Sequence, residues 1–160
     1  MSKQVGFTLV EMITVMIVLG ILSAVALPRI MDNRAFIGAA FHADVVSALR
    51  YAQKSAISHR RLVCATLTAT TVTLSIAVLN PASTCATALP SPDGAPYQSK
   101  DGSIQASAIP VPIGGILYFQ PSGTITFDGA GVNLYSLGKI TITGRATTPI
   151  KIEGATGYVE

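Results

Sequence analysis

Glu11 is the residue with the clearest chemical consequence, because it is a carboxylate inside an apolar run. Residues 7–27 contain no other charged side chain. As a helix these 21 residues would be about 31 Å long, which is enough to span the hydrocarbon core of a bilayer. A carboxylate in such a helix costs about 2.5 kcal/mol or more to insert. Since the run has no cation, we expect the partner of Glu11 to come from another chain or from a free amine.

Cys64 and Cys85 are the second pair of residues whose types define a chemistry. They are the two cysteines of the chain, and both lie beyond the apolar run. If this region is exported, we expect them to form a disulfide. The closed loop of about 20 residues would then stabilise the fold by roughly 3 kcal/mol on the chain-entropy model. The alternative is a pair of free, buried thiols.

The remaining titratable and nucleophilic residues form no recognisable catalytic set. His42 and His59 fall on the polar face of a predicted helix, and neither has a second ligand at metal-binding spacing. Asp93 and Asp101 flank a loop, but two separated aspartates do not define a calcium site. We therefore expect solvated histidines, no metal and no cofactor. An enzyme on a membrane anchor is the alternative, although no serine pairing supports it.

Three cations lie on or between the last predicted strands, namely Lys139, Arg145 and Lys151. Cations on one edge of a sheet can contact phosphates. The net charge of +3 is too small to argue for a nucleic-acid partner by itself. No aromatic residues interleave with these cations to stack bases. DNA binding is therefore an open alternative rather than the expected function.

Residues 6–11, Gly-Phe-Thr-Leu-Val-Glu, resemble the cleavage motif of the type IV prepilin family, and the similarity continues through residues 19–28. The resemblance implies that a membrane peptidase cleaves between Gly6 and Phe7 and methylates the new N-terminal Phe7. It also implies that Glu11 meets the N-terminal amine of a neighbouring subunit during assembly. An unpaired buried charge is strongly unfavourable and a paired one is tolerable, so this role agrees with the chemistry.

Two further interpretations concern the same N-terminal region. Pro28 lies where the apolar run ends, and proline removes a hydrogen bond from a helix, so we predict a helix bend there. Residues 23–26, Ser-Ala-Val-Ala, imitate the cleavage site of an ordinary secretory signal, which is the alternative to prepilin processing.

Weaker resemblances suggest a branch of the family. Residues 48–56, 118–123 and 152–159 are similar to the GspH/FimT branch, which includes minor pseudopilins of type II secretion and minor pilins of type IV and mannose-sensitive-haemagglutinin pili. This resemblance implies a minor pilin or pseudopilin that initiates filament assembly near the tip. The implied partners are other pilin subunits, the prepilin peptidase and an inner-membrane assembly platform. The alternative is a tip subunit that binds DNA or an attachment surface.

Hydrophobic periodicity and the resemblance together predict the organisation of the chain. Apolar residues recur at helical spacing from residue 37 to residue 56, and the period changes to two after residue 61. The predicted segments are a leader at 1–6, a transmembrane helix at 7–28, the amphipathic half of the same helix at 29–60 and a β-rich domain at 61–160.

The predicted fold class is α+β, of the type IV pilin kind, with a long N-terminal helix packed on an antiparallel sheet. Alternating residues and turn signals predict strands at 62–67, 71–76, 116–119, 124–127, 139–143 and 149–153. Residues 80–112 are rich in Pro, Ser, Gly and Asp and are predicted as loop, with a short strand near Ile104.

The predicted location is the bacterial inner membrane, with a single span and a periplasmic C-terminal domain, followed by the filament. The charge pattern gives little help with orientation, because Lys3 precedes the apolar run while Arg29 and Arg34 follow it. A cytoplasmic leader is therefore implied by the resemblance alone.

Overall fold

The computed structural model describes residues 8–31, 34–143 and 148–160. The chain divides into two compact units, residues 1–33 and residues 34–160. Within the described ranges, the first unit contains one helix, and the second contains one long helix and ten short strands in two antiparallel sheets. This arrangement confirms the predicted α+β class.

Helix α1 runs from Leu9 to Met31. Thr8 closes its first turn, since the Thr8 carbonyl oxygen accepts hydrogen bonds from the backbone N–H groups of Glu11 and Met12. The Thr8 hydroxyl lies 3.3 Å from the Glu11 nitrogen, as expected of an N-cap residue. The residues from Leu9 to Met31 are thus helical.

In the ranges that the structure describes, no helix combines the length and mean hydropathy needed to cross a membrane. The transmembrane role predicted for residues 7–28 is not confirmed and stays a prediction. The predicted continuity of one helix from residue 7 to residue 60 crosses Asp32 and Asn33, which lie outside the described residues.

Helix α2 runs from Arg34 to His59 and buries one face in the second unit. Arg60 follows the last residue of the helix, and its φ of 53° is in the left-handed region. The N–H of Arg61 then returns to the carbonyl oxygen of Ala56, which satisfies a terminal carbonyl in the usual way. The predicted helical spacing is confirmed by the buried residues of this face, which are Gly38, Phe41, Val45, Ala48, Leu49, Ala52, Ser55 and Ala56.

The strands of the first sheet are β1 Val63–Leu67, β2 Thr71–Ile76, β3 Thr87–Ala88, β4 Tyr97–Gln98, β6 Ile116–Phe119 and β7 Ile125–Thr126. They lie in the order β3-β2-β1-β6-β7, with β4 also paired to β2. Val63 pairs with Ile76 and Leu67 with Val72, so the strands predicted at 62–67 and 71–76 form an antiparallel hairpin.

The strands of the second sheet are β5 Ala106–Ile109, β8 Leu137–Ile142, β9 Ile150–Glu153 and β10 Tyr158–Val159. They lie in the order β10-β9-β8-β5. Sequence patterns predicted β8 and β9. They missed β3, β4 and β10, and placed the strand that is β5 slightly too early, near Ile104.

One apolar cluster joins α2 to both sheets. Phe41 and Leu49 on the helix, Leu117 and Phe119 on β6 and Ile140 on β8 all belong to it. Each of these side chains is at most 1% exposed. A single core shared by the helix and both sheets therefore holds the second unit together.

Candidate functional site

The predicted processing site lies at the N-terminal edge of what the structure describes. Gly6 and Phe7 are outside the described residues, so the predicted cleavage and methylation stay predictions. Thr8, the first residue that the structure describes, is exposed and precedes the first turn of α1.

Glu11 lies in the first turn of α1 and is exposed. Its backbone N–H donates to the Thr8 hydroxyl oxygen. Its backbone carbonyl oxygen accepts a hydrogen bond of 2.9 Å from the Thr14 hydroxyl. A negative charge near a helix N-terminus is favoured by the helix dipole. The helix dipole therefore favours the charged form of Glu11 at this position.

The surface of α1 around Glu11 is apolar and exposed. Leu9 is 76% exposed and Met16 72% exposed. An exposed apolar surface of this extent normally marks an interaction site. Other large apolar side chains of α1 that are at least half exposed are Val10, Met12, Ile17, Val18, Leu19, Ile21 and Leu22.

Pro28 is inside α1, which continues to Met31. The helix bend predicted at Pro28 stays a prediction.

Cys64 and Cys85 form a disulfide, as predicted, with their Cα atoms 6.1 Å apart. Cys64 lies on β1, and Cys85 lies in the loop between β2 and β3. The bridge covers a small second cluster whose buried members include Leu62 and Ala77, with Ile116 packed against it. The loop after the first hairpin is thus fastened to the outer side of the first sheet.

Two polar side chains of α2 bind the C-terminal hairpin. Arg50 donates from Nε to the carbonyl oxygen of Val159 over 3.0 Å. Gln53 donates from Nε2 to the carbonyl oxygen of Thr156 over 2.9 Å. These bonds satisfy backbone acceptors of the last turn and strand, and they hold the second sheet on the helix. The sequence analysis did not predict either contact.

The histidines contact backbone carbonyl oxygens. His42 Nε2 lies 3.2 Å from the carbonyl oxygen of Thr148, and His59 Nδ1 lies 3.0 Å from that of Ser55. His59 is exposed, as predicted, and His42 is half-buried.

Asp93 and Asp101 each close a local turn. The Asp93 carboxylate accepts from the N–H of Ala95, and the Asp101 carboxylate accepts from that of Ser103. Hydrogen bonds lower the pKa of both carboxyls. The largest effect on Asp93 comes from its hydrogen bond with the Ser91 side chain, and the largest effect on Asp101 comes from its hydrogen bond with the Ser103 backbone. Among the described residues, no group of three or more His, Cys, Asp or Glu side chains is placed to hold a metal ion.

The structure places two of the three candidate DNA-contacting cations side by side. Lys139 on β8 is the direct cross-strand partner of Lys151 on β9, and both are exposed. Lys151 also pairs with Glu160 through two backbone hydrogen bonds. Arg145 lies outside the described residues.

Comparison with known proteins identifies the N-terminal segment. Residues 1–27 match the model of the prokaryotic N-terminal methylation motif. The match includes Gly6, Phe7 and Glu11, so the chain carries the processing motif of type IV pilin-like prepilins. No curated protein and no solved structure matches the chain. The assignment to the GspH/FimT branch therefore stays a proposal.

Proposed function

We propose that this chain is a minor pilin or pseudopilin, a structural subunit of a type IV pilus or of a type II secretion pseudopilus. The observation that carries the proposal is the match of residues 1–27 to the N-terminal methylation motif. In this proposal the prepilin peptidase cleaves between Gly6 and Phe7 and methylates the amine of Phe7. The chain itself performs no catalysis.

The assembly step that we propose depends on Glu11. The carboxylate is exposed in the first turn of α1, amid apolar side chains. Lipid or neighbouring helices that cover this surface would desolvate the carboxylate, and the loss of hydration is offset when an opposite charge pairs with it. The N-terminal amine of a neighbouring processed subunit supplies that charge. Glu11 thereby favours the monomer's entry into the filament.

The proposed location is the inner membrane, with the second unit in the periplasm. The Cys64–Cys85 disulfide supports a periplasmic location for the second unit, because disulfides persist in oxidising compartments. From there the subunit passes to the filament with the help of an inner-membrane assembly platform. The weaker resemblances of residues 48–56 and 118–123 favour a minor subunit that acts in initiation near the tip.

The experiment that tests this proposal is recovery of the chain in filaments sheared from cells. We expect the processed chain in the sheared fraction of cells with active prepilin peptidase, and its loss from that fraction when the peptidase gene is deleted. A control protein with an ordinary secretory signal should be unaffected by the deletion. Equal export and recovery of this chain without the peptidase would overturn the proposal.

A tip subunit that binds DNA is the second candidate, and the adjacency of Lys139 and Lys151 favours it. Two exposed ammonium groups on neighbouring strands can contact successive phosphates. The purified chain should then bind duplex DNA with an affinity that falls as salt is raised. The variant Lys139→Gln/Lys151→Gln should weaken this binding, while Lys54→Gln on α2 should not. Absence of salt-dependent binding by the unmodified chain would eliminate this candidate.

A further inference from the structure

A cluster of cations lies where helix α2 ends. His59 is the last residue of the helix, and Arg60 and Arg61 follow it directly. All three side chains are exposed. Since the rise of a helix is fixed for each residue, the cluster lies about 38 Å from Arg34, where α2 begins.

The open end of the β1–β2 hairpin places two exposed apolar residues beside this cluster. The N–H of Ala77 donates to the carbonyl oxygen of Leu62 over 2.8 Å, so the next residues that face each other are Arg61 and Val78. Leu62 and Ala77 are buried under the disulfide, whereas the adjoining core residues of both strands face α2. Because side chains alternate along a strand, Arg61 and Val78 fall on the α2 side of the sheet. Val78 is 55% exposed, and Leu79, which follows it, is 71% exposed.

Together these residues form what we call the α2-end surface, namely His59, Arg60, Arg61, Val78 and Leu79. The N–H of Arg61 is bonded to the carbonyl oxygen of Ala56 in the last turn of α2. The loop that begins at Val78 is fastened at Cys85, whose sulfur lies 3.6 Å from the carbonyl oxygen of Leu62. The cations and the apolar residues are thus attached to the same folded unit.

The two arginines lack an acidic partner within the described part of the chain. Residues 45–92 contain four Lys or Arg residues and no Asp or Glu. The loop of residues 120–124, which lies against Ile57 near the end of α2, has no acid either. Neither Arg60 nor Arg61 forms an ion pair or a side-chain hydrogen bond with a residue that the structure describes. A positive potential therefore persists at this end of the second unit.

The helix dipole alone does not account for this surface. Cations near the C-terminus of a helix are favoured by the dipole. That explanation covers His59, whose Nδ1 lies 3.0 Å from the carbonyl oxygen of Ser55. It does not explain why two aliphatic side chains, those of Val78 and Leu79, are exposed beside the cations. Cations next to exposed aliphatic side chains are typical of protein surfaces that lie on a bilayer.

We propose that the α2-end surface binds the anionic face of a lipid bilayer. Arg60 and Arg61 contact lipid phosphates, because a guanidinium group forms paired hydrogen bonds with a phosphate. Val78 and Leu79 enter the boundary between headgroups and acyl chains. Each cation near an anionic bilayer strengthens the attraction by about fivefold. The contact involves the second unit alone and does not depend on filament assembly.

Two other anionic partners fit this surface less well. Duplex DNA offers phosphates, but it has no apolar layer to receive Val78 and Leu79. A specific protein interface uses about 20–30 residues on each side, and the α2-end surface is much smaller. DNA and an acidic polypeptide therefore serve as competitors in the test.

The test keeps α1 away from the vesicles that are probed. The full chain is assembled into nanodiscs of neutral phosphatidylcholine, which cover the apolar surface of α1, and is then mixed with vesicles. We expect it to float with vesicles of equal parts phosphatidylcholine and phosphatidylglycerol, and not with vesicles of phosphatidylcholine alone. Added salt should weaken the binding, because salt screens exposed charges. Equal binding to both kinds of vesicle, or no binding to the anionic ones, would overturn the proposal.

Matched double variants locate the charged part of the surface. Arg60→Gln/Arg61→Gln should weaken vesicle binding about 25-fold, the product of the losses for two cations. Lys139→Gln/Lys151→Gln removes the same charge from the second sheet and should weaken binding less than about twofold, because screened charges outside the contact contribute little. Equal losses in the two variants would mean attraction by net charge alone, which contradicts the assignment. Circular dichroism checks folding, and if the arginine variant does not fold, the salt and lipid dependence of the unmodified chain decides.

The apolar part of the surface separates a bilayer from the other partners. Val78→Ser/Leu79→Ser should weaken vesicle binding about tenfold, because two aliphatic side chains no longer leave water. Duplex DNA and polyglutamate are added to preformed vesicle complexes at the same total negative charge as the vesicles. We expect the vesicles to stay bound, since neither polymer offers an apolar layer. Complete displacement by either polymer would assign the surface to that partner and refute the bilayer contact.

Discussion

Arg50 on α2 and Val159 on β10 are joined by a hydrogen bond of 3.0 Å from the guanidinium Nε to the carbonyl oxygen. The two residues are 109 positions apart in the sequence. Gln53, about one turn further along α2, makes the equivalent bond to Thr156. The last strand of the second sheet is thus attached to the helix by side chains rather than by the apolar core alone.

We predict that Arg50→Ala destabilises the second unit by about 1–2 kcal/mol, because the Val159 carbonyl loses a charge-assisted donor. Denaturant unfolding followed by circular dichroism measures this change. Lys54→Ala, one turn further along the same exposed side of α2, is the matched control and should alter stability by less than about 0.5 kcal/mol. Equal effects of the two substitutions would refute the role of the Arg50 bond.

The disulfide gives a second prediction. The variant Cys64→Ala/Cys85→Ala should lose about 3 kcal/mol of stability, because the unfolded chain regains the entropy of the closed loop. Thermal unfolding of the variant beside the oxidised parent protein measures the loss. Reduction of the parent should lower its stability to a similar extent. Two thiols that react with an alkylating agent in freshly isolated native protein would contradict the bridge.

Asp128 gives a pH-dependent prediction. Its carboxylate accepts hydrogen bonds from the N–H groups of Val132 over 3.1 Å and Asn133 over 2.7 Å. These bonds lower the pKa of Asp128 from its ordinary value of 3.8. Because the pKa is lower in the folded state, the ionised carboxylate stabilises the fold when the pH is above the ordinary pKa of 3.8. This stabilisation is lost as the pH falls through the lower pKa of the folded state.

The Asp128→Asn variant should therefore be less stable than the parent at neutral pH, and the difference should shrink on acidification below pH 3.8. Thermal midpoints across the acid range measure it. Glu153→Gln is the control, since its carboxylate accepts from the Thr156 hydroxyl and not from a turn of backbone N–H groups. A constant difference between Asp128→Asn and the parent at every pH would contradict the linkage.

Glu11→Ala separates assembly from folding. Glu11 lies in the first unit, whereas the buried core belongs to the second. We expect normal abundance and normal leader cleavage of the variant, but poor recovery in sheared filaments, because the contact with a neighbour's amine is lost. Thr14→Ala, one turn further along α1, should be recovered normally. Normal recovery of Glu11→Ala would argue against the proposed pairing.

The sequence predicted those parts of the fold that repeat a local period. In β2, Val72, Leu74 and Ile76 alternate with polar residues, and these three are the buried positions of the strand. The disulfide was also predictable, because two cysteines allow one intramolecular pairing.

The strands that the sequence analysis did not predict have no local hydrophobic period. Strands β3 and β4 have two residues each, too few to show a period, and both form by pairing with β2. The cleft of about 780 Å³ between α2 and the segment around β4 was unpredictable for a related reason. Its lining residues Asp44 and Tyr97 are far apart in the chain, and they line one cleft only because α2 packs beside β4. Tertiary contacts, rather than local preference, create these features.

The intact mass of the mature protein tests the central claim most directly. The chain should be isolated from cells with active prepilin peptidase and measured beside the same chain from cells without it. We predict that the first lacks residues 1–6 and carries one methyl group on Phe7, and that the second retains the leader. A mature mass that still includes residues 1–6, or one that corresponds to cleavage after residues 23–26, would contradict the account.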